Sequence, residues 1–187
     1  FINDIVKNIS LVNKKKIIDA TKKIQSLNKN NKVILAGNGA SSSISSHASI
    51  DLTKAAGVRA INFNEANLLT CFSNDYGYEK WIIKALEFYS LPGDLVILIS
   101  SSGKSKNIIN AAKSKKKLKF ALITFSGFSK KNPLSKLGDI NFHVDSSSYN
   151  VVEATHLVII LQIIENIINK KKWNQTILKN FLIEMVM

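Results

Sequence analysis

Short apolar runs alternate along the chain with longer segments whose apolar residues recur at the three- or four-residue spacing of a helix. We predict a β-strand at five of these runs, at residues 33–36, 59–63, 95–99, 120–125 and 140–144. Strands that alternate with helices form a parallel sheet, and continuously apolar strands are covered on both faces. The pattern therefore predicts a three-layer α/β fold with a flavodoxin-like five-stranded parallel sheet in the order 2-1-3-4-5.

The segments between the apolar runs predict the helices. One amphipathic N-terminal helix is expected over 2–28, within an N-terminal region 2–30, and its apolar set is Ile5, Ile9, Leu11, Ile17, Ile18, Ile24 and Leu27. Further helices are expected from the turn after the first strand to about Ala56, over 78–89, over 106–113 and over 150–170, with a short one after Trp173. Residues 64–77 are expected to be irregular or partly helical and 126–137 mostly loop. We expect a single domain over 1–187, with a sheet core at 31–145 and C-terminal helices at 149–187.

Composition narrows the class of protein. The 187 residues, 45% of them hydrophobic, are enough for one domain with a substantial core. The single cysteine, Cys71, allows neither a disulfide framework nor a cysteine-based zinc site, which favours a reducing, cytoplasmic setting. The longest apolar run, 157–164, is interrupted by Gln162 and is too short to span a bilayer, so no membrane partner is expected.

The net charge of +13 does not by itself indicate a nucleic-acid partner. Among the 26 basic residues only Arg59 is an arginine, and the lysines are scattered along the chain. The arginine side chain recognises phosphates and bases better than lysine because its fork contacts them at two points. We interpret the lysines as solvated surface and expect no nucleic-acid partner.

Two turns rich in serine and glycine follow the first and third predicted strands. The first is AGNGASSSISSH at 36–47, and the second is SSSGKS at 100–105. In a 2-1-3-4-5 sheet these two strands are neighbours, and ligands bind beyond their carboxyl ends. Small residues that lead into a helix expose backbone N–H groups to an anion, and serine hydroxyls add donors. The two turns together predict a phosphate site.

A dinucleotide site is a poorer interpretation of the first turn. The G-x-G-x-x-G pattern needs a third glycine, and Ser42 stands at that position. The nearest acid for a ribose, Glu65, lies in the loop after the second strand. The P-loop pattern is also absent, because Gly37 is not followed by G-K-S/T at the required spacing.

Three stretches together resemble the SIS (sugar isomerase) domain family, and most closely its phosphoheptose isomerase branch. They are AGNGASSSISSHASIDLTK, CFSNDYGYEKW and GDLVILISSSGKSKNIINAA, and the resemblance covers nearly the whole chain, which we expect to be a single SIS domain. The resemblance implies aldose–ketose isomerisation of sedoheptulose 7-phosphate, for the heptose of a lipopolysaccharide-type surface polysaccharide. It also implies a homotetramer whose active sites lie between subunits.

The resemblance also assigns binding residues. Asn38, beside Gly39, would shape the first turn, and Asn74 and Asp75 would line the sugar site. The phosphate would be held by the serines Ser41, Ser100, Ser101, Ser102 and Ser105.

The catalytic pattern of the family is only partly present. In phosphoheptose isomerases the helix after the first turn supplies a His-x-x-x-Glu pair, which binds zinc and whose glutamate also serves as the base. This chain has His47 and Asp51, whose spacing of four places them on one helix face. Aspartate is one methylene shorter than glutamate, so its reach differs by about 1.5 Å. Glu65 is an alternative base, since it follows the second strand at the ligand end.

The late helix departs further from the family, which has a glutamine and a histidine there, eight residues apart. Aligning Glu153 with the family's glutamate puts Val152 and Ile160 at those two positions, and neither can bind a metal. His156 lies midway between them on the same helix face. A zinc site is therefore either rebuilt from His47, Asp51 and His156, with the histidines as ligands or acids, or lost.

A different class of function remains open. Some SIS proteins keep the fold but sense sugar phosphates or act as adaptors, such as the one that associates with the bacterial replication initiator. The apolar Val152 and Ile160 favour this alternative, whereas His47 and Asp51 favour an enzyme.

Overall fold

Five parallel strands build the sheet of this protein. The structure is a computed structural model that describes the backbone of residues 1–186 and the side chains of residues 1–170. The strands are β1 (Val33–Gly37), β2 (Ala60–Asn62), β3 (Leu95–Ser100), β4 (Ala121–Ser126) and β5 (Ile140–His143). All four pairings are parallel and the order is β2-β1-β3-β4-β5, which confirms the predicted fold.

Helices cover both faces of the sheet. They are α1 (Ile2–Ser10), α2 (Lys14–Gln25), α3 (Ala40–Lys54), α4 (Ala66–Tyr76), α5 (Trp81–Tyr89), α6 (Lys106–Lys113), α7 (Lys115–Leu118) and α8 (Tyr149–Val186), with a 3₁₀ turn at Pro133–Lys136. Side chains along β1 alternate between two buried clusters. Val33 and Leu35 pack with α2, α3 and α8, and Ile34 and Ala36 pack with α5 and α6. This alternation is why the strand sequences are apolar throughout.

The expected N-terminal helix over 2–28 is two helices, so that prediction was wrong. The chain leaves the helix after Ser10, and the Oδ1 of Asn13 accepts a hydrogen bond from the backbone N–H of Lys16 at 3.3 Å. Asparagine caps a helix start well, so a second helix begins there. Leu11, one of the expected apolar set, is 68% exposed at the break.

The structure also differs from the expected elements at two later places. Residues 64–77 contain the regular helix α4, and the predicted helix over 78–89 begins only at Trp81. The expected break before a short helix after Trp173 does not occur, because α8 runs without interruption to Val186. The sequence from Asn150 to Val186 contains neither proline nor glycine, the two residues that most readily end a helix.

The first part of α8 is a core helix. The segment Tyr149–Lys170 has the length and apolar composition of a membrane span, yet half of its most apolar window is buried inside the protein. It packs against α1, α2 and α3, and its isoleucines belong to the same buried cluster as β1. The segment therefore belongs to the core of the domain.

A buried carboxylate ties together the amino ends of β1 and β3. Asp94 is fully buried and accepts hydrogen bonds from the Lys32 ammonium at 2.7 Å and the Lys32 N–H at 3.0 Å. The Asn31 amide and the Leu91 N–H contribute two more, at 3.1 and 2.8 Å. Burial alone would raise the pKa of Asp94, but these hydrogen bonds outweigh it and hold the pKa below its usual value.

We expect Asp94→Ala to lower the free energy of unfolding by about 3–5 kcal/mol, because it leaves the Lys32 ammonium buried without its partner. The pKa of Asp94 is lower in the folded state than in the unfolded chain. Its contribution to the free energy of unfolding is therefore complete above the ordinary aspartate pKa and is lost as the pH falls through the folded-state pKa. Urea unfolding at neutral and acidic pH measures both effects. Glu79→Ala, in an exposed ion pair with Lys106, is the control and should change stability little. An Asp94→Ala protein as stable as this control would contradict the prediction.

Candidate active site

The pairing of β1 with β3 brings the two serine-rich turns together. Gly37 lies opposite Ile99 in the sheet, and beyond these residues the Oγ atoms of Ser41 and Ser101 are 3.5 Å apart. The turns and the start of α8 enclose a pocket of about 130 Å³, which we call the serine cradle. Its lining residues are Asn38, Ser41, Ile99, Ser100, Ser101, Ser102, Ser105, Tyr149 and Glu153.

Two helices begin at the cradle without a side-chain cap. The N-cap of α3 is Gly39, at φ 57°, and the N-cap of α6 is Ser105, whose Oγ accepts a hydrogen bond from Ser100 at 3.1 Å. Each helix start presents the positive end of the helix dipole, although the N–H groups of Ser41, Ser42 and Ile108 already have acceptors nearby in the chain. The cradle therefore has the electrostatics of an anion site.

The second turn has a shape that only glycine allows. Gly103 has φ 64°, and a Cβ atom there would lie 2.1 Å from the Oδ1 of Asn132. Asn132 cannot move aside easily, because its amide donates to the carbonyls of Gly127 and Ser129 at 3.2 and 2.8 Å. The Gly103 N–H in turn donates to the Ser100 carbonyl at 2.9 Å, which closes the turn around the serines.

Asn38 joins the first turn to the second. Its side-chain amide exchanges two hydrogen bonds with the amide of Asn107 on α6, at 3.0 and 2.9 Å. The Tyr78 hydroxyl also donates to the Asn38 Oδ1, at 3.2 Å. Tyr78 and Asn107 were not singled out from the sequence, although both fall within the stretches that carry the family resemblance.

The carboxylate of Glu153 also lines the cradle. The sequence had indicated no role for this residue beyond the alignment of the late helix. The Ser101 hydroxyl donates to the Oε1 of Glu153 at 3.1 Å. The signal that could have pointed to it is its position within the first two turns of the helix that begins at the carboxyl-end edge of the sheet. Tyr149, at the start of the same helix, lines the cradle beside it.

His47 and Asp51 form a pair on α3, as their spacing predicted. The Nε2 of His47 is 3.1 Å from the Oδ2 of Asp51. Their side chains are 52% and 35% exposed, and neither residue lines the serine cradle of its own chain. The pair is thus available to a ligand or subunit that approaches α3 from outside.

His156 lies in the core, apart from that pair. It is fully buried, its Nε2 is 3.1 Å from the Ser126 carbonyl oxygen, and its ring meets the edge of Phe125 with centroids 5.5 Å apart. Burial lowers the pKa of His156 to about 4, and the hydrogen bond to Ser126 offsets this only in part. The imidazole is therefore neutral near neutral pH.

The other candidate residues lie at the two ends of α4. Both Glu65 carboxylate oxygens cap this helix, accepting from the N–H groups of Asn67 and Leu68 at 3.0 and 2.8 Å. These hydrogen bonds, that of Asn67 first, hold the pKa of Glu65 below its usual value. Asn74 and Asp75 are exposed at the end of α4 and hydrogen-bond to each other at 3.0 Å rather than to the cradle.

The residues of one chain do not fit the zinc site that the family resemblance implies. Val152 and Ile160, which stand at the two ligand positions of the late helix, are apolar and buried. His156 is engaged with a backbone carbonyl in the core. Across the described residues, no group of three or more His, Cys, Asp or Glu side chains is placed to hold a metal ion.

Comparison with known proteins identifies the family. The model of the SIS domain family matches residues 1–127. It stays a prediction that one SIS domain spans all of residues 1–187. The chain belongs to the SIS domain family. Among its most similar relatives is a protein of Thermoplasma acidophilum named "Probable phosphoheptose isomerase", 33% identical over 80% of this chain and 85% of the relative. The phosphoheptose isomerase of Aliarcobacter butzleri is also 33% identical, over 76% of this chain and 80% of that protein.

Solved structures of SIS proteins share the fold. The phosphoheptose isomerase of Francisella tularensis superposes with a TM-score of 0.80 at 23% identity, covering 90% of this chain and 92% of that one. The enzyme from Neisseria gonorrhoeae has a TM-score of 0.79 at 22% identity, covering 87% and 90%. These likenesses show that the fold of this chain is the fold of those two proteins.

The buried His156 predicts a loss of stability in mild acid. Between its unfolded pKa of 6.5 and its folded pKa of about 4, the unfolded chain binds more protons, so stability falls as the pH drops through this range. The difference between the two pKa values corresponds to about 3 kcal/mol in the free energy of unfolding. His156→Gln, which keeps a donor for the Ser126 carbonyl, should flatten this part of the stability profile measured by urea unfolding. Thr155→Val, a buried neighbour that does not titrate, should keep the wild-type slope. An unchanged slope in His156→Gln would show that other groups cause the loss.

Proposed function

We propose that this protein is a phosphoheptose isomerase that interconverts sedoheptulose 7-phosphate and the corresponding aldose, heptose 7-phosphate. The observation that carries the proposal is the serine cradle, which offers hydroxyl groups and two uncapped helix starts to a phosphate. Relatives at 33% identity named for this activity support it. The product would feed heptose synthesis for a lipopolysaccharide-type surface polysaccharide, in the cytoplasm where sugar phosphates are made.

In this proposal the phosphate is bound by uncharged donors. The side chains are the hydroxyls of Ser41, Ser100, Ser101, Ser102 and Ser105, with Asn38 and Gly39 shaping the first turn. Glu153 accepts the hydrogen bond of Ser101, and we do not place it among the donors that bind the phosphate. The Ser101 hydroxyl has one proton, which it donates to Glu153 at 3.1 Å, so in this proposal it turns from Glu153 to donate to the bound phosphate.

The reaction itself moves one proton between adjacent carbons. A base removes the proton from the carbon beside the carbonyl, an enediol forms, and the proton returns to the former carbonyl carbon while a second proton exchanges between the two oxygens. We assign the base to Asp51 and the acid to His47, because the two groups are paired and exposed. Glu65 is a weaker candidate for the base since helix capping engages both its oxygens, and His156 is held in the core.

The position of this pair favours an active site shared between subunits. His47 and Asp51 do not line their own cradle, and Ile50 between them is 60% exposed, as a residue at a subunit contact would be. An apolar groove of about 460 Å³ between α1, α2 and α8 offers a second contact surface. We infer a homotetramer in which the pair of one subunit closes the cradle of its neighbour, with Asn74 and Asp75 near the sugar.

A sensor or adaptor role is not favoured over this one. The sequence basis for such a role was that Val152 and Ile160 are apolar. These two positions concern the metal site and leave the phosphate site unaffected. The relatives that match most of the chain are named as isomerases.

The shared site can be tested by subunit mixing. We expect wild-type protein to convert sedoheptulose 7-phosphate, and Ser102→Ala and Asp51→Asn each to lower kcat/KM by about 10²-fold or more. Co-expression of the two variants under different tags should restore part of the activity, because some sites then combine an intact cradle with an intact pair. Co-expressed Asp51→Asn and His47→Ala are the matched control and should stay inactive, since both damage the same pair.

Two results would contradict the proposal at different levels. Failure of the wild-type protein to form product from sedoheptulose 7-phosphate would overturn the substrate assignment. An active wild type whose mixed oligomers stay inactive would place the pair and the cradle in the same subunit.

The donor set gives a separate expectation about zinc. His47 and Asp51 would be the residues to hold a metal, but two ligands from one chain are too few for the four-coordinate site that zinc prefers. We expect dialysis against EDTA to change kcat by less than about twofold, where loss of a required metal would cost far more. Two results together would contradict this expectation: stoichiometric zinc in the purified protein, and a larger loss of kcat that added zinc reverses. The zinc would then require further ligands from another subunit.

A further inference from the structure

A second cavity opens beside the serine cradle. It has a volume of about 510 Å³ and is lined by Ser102, Lys104, Phe128, Ser129, Ser147 and Tyr149. Ser102 and Tyr149 also line the cradle, so the two spaces adjoin along these residues. Ser102 and Lys104 belong to the second serine-rich turn, whereas Phe128 and Ser129 lie in the segment expected to be mostly loop.

The sizes of the two spaces suit different parts of one ligand. Small-molecule sites generally enclose about 300–1,000 Å³. The cradle, at about 130 Å³, is below that range and suits a phosphate group alone. The adjoining cavity is within the range and can hold a polyhydroxylated carbon chain.

The loop that carries Phe128 is fixed to the cradle by its backbone. The Gly127 N–H donates to the Ser101 carbonyl at 2.8 Å, and the Phe128 N–H donates to the Ser146 carbonyl at 2.9 Å. A Cβ atom on Gly127 would lie 2.7 Å from the Val152 side chain, so glycine lets the loop approach α8. Phe128 itself has φ 56°, a left-handed conformation that costs energy for a bulky residue and that concentrates at ligand sites.

Phe128 packs against a second aromatic ring, that of Tyr149. The rings of Phe128 and Tyr149 lie with centroids 4.8 Å apart at 58°. Tyr149 nevertheless remains 56% exposed, so part of its ring surface is uncovered at the boundary of the two spaces. The C–H faces of a sugar pack on aromatic rings, and the hydroxyls of Ser129 and Ser147 and the ammonium of Lys104 supply polar contacts for its oxygens.

We propose that this cavity is the subsite for the carbon chain of the sugar phosphate, and that Tyr149 is the residue that selects long-chain sugars. The inference rests on the proposed function and deepens it. The phosphate anchors the ligand in the cradle, and the chain continues past Ser102 over the Tyr149 ring. A phosphate alone would meet Tyr149 only at the edge of the cradle, where the two spaces adjoin, and would cover little of its ring.

Calorimetric titration with three probes tests the proposal: inorganic phosphate, glycerol 3-phosphate and sedoheptulose 7-phosphate. Tyr149→Ala should weaken binding of the seven-carbon probe about tenfold and leave the two short probes within about twofold, because only the long chain covers the ring. Tyr149→Phe keeps the ring and should bind all three like wild type. Phe128→Gly accepts the left-handed backbone and removes the supporting ring, so it should show the same selective loss.

The controls separate this proposal from the function on which it rests. Tyr89→Ala removes another exposed tyrosine, which lines neither space, and should leave all three affinities unchanged. If wild type prefers the seven-carbon probe and Tyr149→Ala keeps that preference, or loses affinity equally for all probes, the subsite is wrong while the function stands. If wild type binds inorganic phosphate but no sugar phosphate more tightly, the proposed function fails and the subsite with it.

Discussion

The parallel pairing of β1 with β3 is the interaction on which the site depends. At the amino ends of the two strands, the buried Asp94 carboxylate holds Lys32 and Leu91 and so fixes where the strands begin. At the carboxyl ends, the same register places Gly37 opposite Ile99, and the two turns emerge side by side. The loops that leave a parallel pair at its carboxyl ends lie at one edge of the sheet, so the β1–β3 register sets the two turns side by side.

The helix α8 connects this edge to the core. Its first turns place Tyr149 and Glu153 at the cradle, while His156, one turn later, hydrogen-bonds to the carbonyl at the end of β4. The same helix therefore contributes to the serine cradle and to the hydrophobic cluster. This explains why the apolar Val152 is compatible with the site, because it packs against Gly127 and brings the loop with Phe128 close to the cradle.

Much of the fold followed from the apolar pattern, because buried parallel strands leave continuous runs and covering helices leave periodic ones. The break between α1 and α2 did not, since it depends on one capping side chain, Asn13, within an otherwise helical pattern. Helix α4 was only partly expected because its cap is Glu65, a residue that equally suits a loop or a catalytic role. Such local choices depend on single hydrogen bonds and not on periodicity.

The sequence by itself determined the class of fold, the strand order and the pairing of two serine-rich turns, because these depend on repeated apolar spacing and on turn residues with few alternatives. It also determined that His47 and Asp51 meet, since a spacing of four fixes their side chains on one helical face. Only the tertiary structure decided that His156 belongs to the core and that Glu153 belongs to the cradle. Both are on α8 three residues apart, and which of them lines the cradle depends on how that helix is rotated against the sheet, which a helical spacing does not specify.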